Sequence, residues 1–143
     1  MKKIFWQSML PMVLWMIAAC KKEKETVEKS PVQLLTVKEW TLFSVGFDDN
    51  NNGVIDINEE MIKDCQRDNT IKFNSDGRGQ FLDKGISCGG PMESSFGWKF
   101  INNHTGIEIE ASFVSVLKLD ENEFIYTPEL DGVTTKFIIR YRH

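Results

Sequence analysis

The stretch Ser95 to Leu119, SFGWKFINNHTGIEIEASFVSVLKL, carries a two-residue period and almost none of the 3.6-residue period of a helix. Phe96, Trp98 and Phe100 share one face. After the turn-forming run Asn102-Asn103-His104-Thr105-Gly106, Ile107, Ile109, Ala111 and Phe113 alternate with Glu108, Glu110 and Ser112. Each run reads as a strand with one buried face. Working outward, Phe137, Ile139 and Tyr141 alternate with Lys136, Arg140 and Arg142, and Asn74-Ser75-Asp76-Gly77, Asp120-Glu121-Asn122 and Asp131-Gly132 supply further turns. The pattern predicts eight strands at 37–46, 70–75, 79–84, 95–102, 106–112, 114–119, 123–128 and 133–142. One short helix is expected between the first and second strands, from Asn58 to about Arg67. Short strands joined in order by tight turns predict an all-β fold, a small antiparallel up-and-down barrel of eight strands.

The other end of the chain differs in kind. Met1-Lys2-Lys3 precedes a mostly apolar run from Ile4 to Ile17, and Ala18-Ala19 then leads to Cys20. This is the layout of a secretory signal, too short and too interrupted by Gln7, Ser8 and Pro11 for a membrane span. Its ending resembles a bacterial lipobox, and the resemblance implies cleavage before Cys20 and acylation of that residue. Two or more acyl chains anchor a protein durably. Residues 1–19 are therefore read as a lipoprotein signal peptide, 20–34 as a lipidated, charged tether, and 35–143 as the folded domain. The flexible part of the tether, Lys21 to about Gln33, has a reach of roughly 20 Å. The expected location is the cell envelope, anchored to the outer membrane, with the periplasm-facing and cell-surface orientations both open.

Without residues 1–19 the chain has 124 residues, 15 basic and 21 acidic, for a formal charge of −6. That balance argues against nucleic acid as a partner and leaves membrane association to the acyl anchor. With Cys20 acylated, Cys65 and Cys88 remain as a pair in an oxidising compartment. A disulfide between them is expected, against the alternatives of two buried thiols or a zinc site.

The order of features along residues 36–142 resembles the lipocalin-like lipoproteins of Bacteroidota. It runs through Trp40-Thr41-Leu42, an acidic Asn/Gly loop, Cys65 with Asp68, Phe73, Asp76-Gly77, Cys88 and the aromatic strand with Trp98. The resemblance implies a small barrel of the lipocalin kind. Two departures bear on function: Lys38 stands where lipocalins carry the glycine of Gly-x-Trp, and no long helix is expected after the last strand.

Residues 48–59, DDNNNGVIDINE, satisfy every fixed place of D-x-[DN]-x-[DN]-G-x5-E, the EF-hand calcium loop. Calcium takes six to eight oxygens. This spacing offers the side chains of Asp48, Asn50 and Asn52, the Val54 carbonyl, Asp56 directly or through water, and a bidentate Glu59, with Gly53 at the sharp bend. Ile55 occupies the inward apolar place. The entering helix is missing, because Trp40 to Phe47 reads as a strand, and no second loop is present to form a pair. A competing reading makes Asp56-Ile57-Asn58-Glu59 a capping box on ordinary turn chemistry.

No GxSxG, HExxH or glycine-rich phosphate loop is present, His104 falls in a predicted turn, and Glu108 and Glu110 read as solvent-side alternation. The chain is thus expected to be non-enzymatic. Two functions stay open. One is an interaction module with a filled barrel, contacting an envelope protein or a glycan. The other is a carrier of a small hydrophobic ligand, lined by Trp40, Phe73, Phe96, Trp98, Phe100, Phe124 and Tyr126.

Overall fold

Eight antiparallel strands close into one barrel in sequence order: β1 Glu39–Asp48, β2 Thr70–Phe73, β3 Arg78–Leu82, β4 Glu93–Ile101, β5 Gly106–Ile109, β6 Ser112–Leu119, β7 Glu123–Pro128 and β8 Lys136–Arg142. The computed structural model describes residues 28–143. The expected signal peptide, Cys20 and the first part of the tether lie outside the described residues. β1 pairs with both β2 and β8, which closes the wall. The up-and-down barrel read from the two-residue period is therefore present, with each strand within a few residues of its expected place.

The register explains the alternation. Phe73 opposes Gly79, Gly79 opposes Phe96, Trp98 opposes Ile109, and Phe124 opposes Tyr141, so all of these point inward. Lys72, Arg78, Lys99, Glu108, Glu123 and Arg140 lie on the alternate, outer positions. Gly79 is required where it stands, because a Cβ there would collide with the Phe96 ring. Among the described residues, no helix is long and apolar enough to cross a membrane.

The helix is not where the sequence placed it. Instead of a helix from Asn58 to Arg67, residues 57–59 form a turn and Asp64–Gln66 a single 3-10 turn. Glu59 folds its side chain back to the Asp49, Asn50 and Asp56 amides, and Met61 N–H donates to the Val45 carbonyl at 2.7 Å. These bonds hold the segment extended, and a helix of about ten residues has too little internal stability to compete.

A helix instead precedes the first strand, as α1, Pro31–Thr36. Ser30 and Gln33 form a capping box around it and Pro31 occupies its first turn. Leu35 of this helix is fully buried, and its carbonyl accepts from Trp40 Nε1 at 2.9 Å. Lys29 pairs with Glu121 at 2.8 Å. The end of the stretch read as tether is thus ordered against the barrel and stops one of its openings.

In an up-and-down barrel the connections alternate between ends. The short turns after β2, β4 and β6 lie with α1 at the closed end. The long connections, 49–69, 83–92 and 129–135, lie at the other. Cys65 and Cys88 form a disulfide between the first two of these, with Cα atoms 5.4 Å apart.

Candidate functional site

Asp48 ends β1, so the last position of a strand sets the first position of the loop. Its side chain is 1% exposed. Oδ1 accepts from Asn52 N–H and Oδ2 from Gly53 N–H, both at 2.9 Å. Glu59, 7% exposed, closes the other side: Oε1 accepts from Asp49 N–H at 3.0 Å and Asn50 N–H at 3.3 Å, and Oε2 from Asp56 N–H at 2.9 Å. The chain can turn this tightly because Asn51 and Gly53 take positive φ, 57° and 79°. Asn50 Oδ1 and Asn52 Oδ1 accept from the Asn52 and Val54 amides.

The Asp56 carboxylate is not placed as a full capping box requires. A capping box needs the Asp56 carboxylate on the Glu59 amide. That amide instead donates to the Asp56 main-chain carbonyl at 2.9 Å. The Asp56 carboxylate turns into the loop and accepts from Asn50 Nδ2 at 2.8 Å and Asn52 Nδ2 at 3.2 Å. Only the reach-back half of the box, Glu59 to the Asp56 amide, is present, and no helix follows it. Five of the six predicted donor residues, Asp48, Asn50, Asn52, Asp56 and Glu59, are therefore joined in one hydrogen-bonded loop. Val54 joins it through its amide and leaves its side chain 43% exposed.

The loop is docked rather than free. Gly46 bridges Glu60, and Ile55 packs over Gly46, where any Cβ would strike the Glu59 carbonyl. Among the described residues none of Asp48, Asp56 and Glu59 forms an ion pair. Nor do three His, Cys, Asp or Glu side chains come together as a ready metal cluster. An all-oxygen set of three carboxylates, two amides and a carbonyl suits a hard cation by its chemistry. Binding one requires the loop to trade some of these amide contacts for metal contacts and to draw inward.

The aromatic residues proposed as a ligand lining are mostly packed on one another. Phe73 sits at the centre, edge-on to Phe96, Trp98 and Phe124 with ring centroids 5.3–5.8 Å apart. Trp40 lies 5.8 Å from Phe124, and Phe100 meets Trp98 edge-on at 5.6 Å. Edge-to-face pairs of this kind each add about 0.5–1.5 kcal/mol beyond the area they bury. Toward the closed end the barrel is filled.

Of the seven, Tyr126 borders a cavity toward the other end of the barrel and Phe96 borders a groove on the outer wall. The cavity, of about 300 Å³ and partly open to solvent, lies against the 49–69 connection, walled by Leu42, Val45, Phe81, Tyr126, Ile139 and Tyr141 and bounded by Gln66, Asn69 and Thr70. Burial pushes the Tyr126 hydroxyl up to about 12 and that of Tyr141 well above 10, so both stay neutral donors. The sequence signal for this space was present but faint: Leu42, Val45 and Ile139 are ordinary strand residues, and a bulge between Leu42 and Ser44 turns both Leu42 and Val45 inward. A broader groove of about 680 Å³ crosses the outer wall near Arg78, Gln80, Ser95 and Gly97. It is open, and its lining is mixed, with Phe96 beside the polar side chains.

The chain matches no protein-family model and no curated protein.

Proposed function

We propose that this chain is a non-enzymatic binding or interaction module of a bacterial cell envelope, anchored to the outer membrane through acylated Cys20 and stiffened by one calcium ion in residues 48–59. The observation that carries the calcium part is a pair of buried carboxylates, Asp48 and Glu59, without an ion-pair partner among the described residues, in a loop whose Asn50 and Asn52 side chains also hold the Asp56 carboxylate. Buried charges are ordinarily paired or metal-bound. The topology supports one use of such an anchor: the described chain enters the barrel through α1 at the closed end, which leaves the three long connections at the end away from the tether. That end is the one available to a partner.

Calorimetric titration of calcium into chelator-treated protein tests the reading. One site is expected, with a dissociation constant on the order of 10⁻⁴ M, in the range of extracellular modules. No heat, together with an unchanged melting temperature in millimolar calcium, would refute it.

The cavity of about 300 Å³ favours a second reading, carriage of one small, largely apolar ligand. Its volume is at the lower bound for ligand pockets, about 300 Å³. Native mass spectrometry of protein taken from its host and freed of the acyl anchor separates the two. A reproducible co-purifying small molecule supports carriage, and a bare protein mass across several detergents supports the interaction module.

A further inference from the structure

β1 has ten residues, but β2 pairs with only Glu39, Trp40 and Thr41. Beyond Thr41 that edge of β1 is covered by the connection itself. Gly46 bridges Glu60, Met61 N–H donates to Val45 O at 2.7 Å, and Leu42 N–H donates to Asn69 O at 2.9 Å. Between these two attachments the chain bonds its backbone to itself: Gln66 N–H to Lys63 O, Arg67 N–H to Asp64 O and Asn69 N–H to Gln66 O. A piece of the barrel wall is therefore a strap with two ends fixed and a middle that carries Cys65.

The middle is held from outside by the disulfide to Cys88, in the exposed 83–92 connection. Gln66, the next residue, and Asn69 border the cavity directly. The other side-chain ties of the strap are the ion pairs of Arg67 with Glu60 at 3.1 Å and Asp64 at 3.5 Å, Gln66 Oε1 accepting from Lys63 N–H at 2.9 Å, and, at the fixed end, Asn69 Oδ1 accepting from Lys84 N–H at 3.3 Å; all lie at the surface. Pairs so exposed contribute little.

We propose that residues 62–68 are a door in the barrel wall, opening onto the cavity, and that the Cys65–Cys88 disulfide is its latch. The part about ligand entry rests on the carriage reading above; the motion of the strap does not. A dithiol opens the latch. Its thiolate attacks the exposed Cys88 sulfur and forms a mixed disulfide, releasing Cys65 as a thiolate that takes up a proton. The second thiol of the reductant then displaces Cys88, which leaves likewise as a thiol. Two electrons and two protons pass from the dithiol, which closes into its own disulfide. The strap then swings on Met61 and Asn69.

Hydrogen–deuterium exchange on the full chain, read by mass spectrometry, tests the latch. On reduction, the amides of residues 62–69 should exchange on the order of tenfold faster or more, while that of Leu42, at the fixed Asn69 end, and those of β4 to β7 hold their rates. The Cys65→Ser, Cys88→Ser double variant should match the reduced protein. Re-joining the reduced thiols with a methylene bridge should restore slow exchange under reducing conditions. Unchanged exchange in 62–69, or an equal acceleration throughout the barrel, would overturn the proposal.

The neutral fluorophore N-phenyl-1-naphthylamine reads the cavity. Its rate of entry should rise with the strap's exchange rate and be lost in Val45→Phe, which fills the space. Equal entry rates in both redox states would overturn the gating role. Accelerated exchange with no dye bound in either state would instead overturn the carriage reading on which that role rests.

Discussion

The rings of Trp40 and His143 stack with centroids 3.7 Å apart, and His143 Nδ1 lies 2.8 Å from the Glu39 carbonyl. This contact joins the start of β1 to the residue that follows β8. It covers the indole from outside, while Leu35 meets the indole N–H from α1. Three elements thus converge on one fully buried side chain at the closed end.

Desolvation in that stack holds the His143 pKa below the usual histidine value, with Lys38 adding to the effect and the Glu39 carbonyl opposing it. The unfolded chain therefore binds the proton more readily. Stability contributed by neutral His143 is full above about pH 6.5 and is lost as pH falls from there through the lower folded value. Melting temperatures of wild type and His143→Phe, compared from pH 7.5 down to pH 5, should show wild type falling faster. Parallel curves would contradict this assignment.

Glu59→Gln keeps the shape and one carbonyl acceptor for the loop amides but removes the charge a cation needs. With calcium at about 1 mM and a dissociation constant on the order of 10⁻⁴ M, wild type should gain roughly 1.4 kcal/mol, a shift of several degrees. The variant should gain none. Identical melting of both proteins with calcium and with chelator would make the loop a hydrogen-bonded turn and nothing more.

Phe73→Ala opens a void at the centre of the aromatic cluster and should cost about 3–5 kcal/mol by denaturant unfolding. Ile57→Ser, in the same chain but at a side chain 93% exposed, should change stability by less than about 0.5 kcal/mol. A small effect of Phe73→Ala would mean that the closed end is not the packed core described above.

Cys20→Ser should leave the protein uncleaved or released from membranes, as read by detergent-phase partitioning and by the mass of the recovered chain. Normal processing with continued partitioning would rule out an acyl anchor at Cys20.

The strands were legible because a barrel wall needs alternation, and Phe96-Gly97-Trp98-Lys99-Phe100 or Glu108-Ile109 can alternate in only one sense. The loop was legible for a related reason, since its donors are spaced by backbone geometry. Which aromatics would fill the barrel and which would line a space was not, because closure and one bulge decide it, and these bring Phe73 against Phe124 from strands 51 residues apart. The helix α1 had its signal in Ser30-Pro31 and Gln33, masked by the charged run before it. The helix expected from Asn58 failed because Glu59, the last residue of its proposed capping box, is occupied by three loop amides.

The pairing of β1 with β8 has a temporal consequence. Its partnered positions, Thr41 with Arg142 through Asp48 with Lys136, lie 88 to 101 residues apart in the chain. A polypeptide made from its N-terminus holds β1 without one neighbour until residues 136–142 have emerged. Such non-local closure places folding on the scale of about milliseconds to seconds rather than microseconds. During that interval the exposed edge of β1 is open to pairing with another chain, so the interval before closure is when this protein is most prone to aggregate.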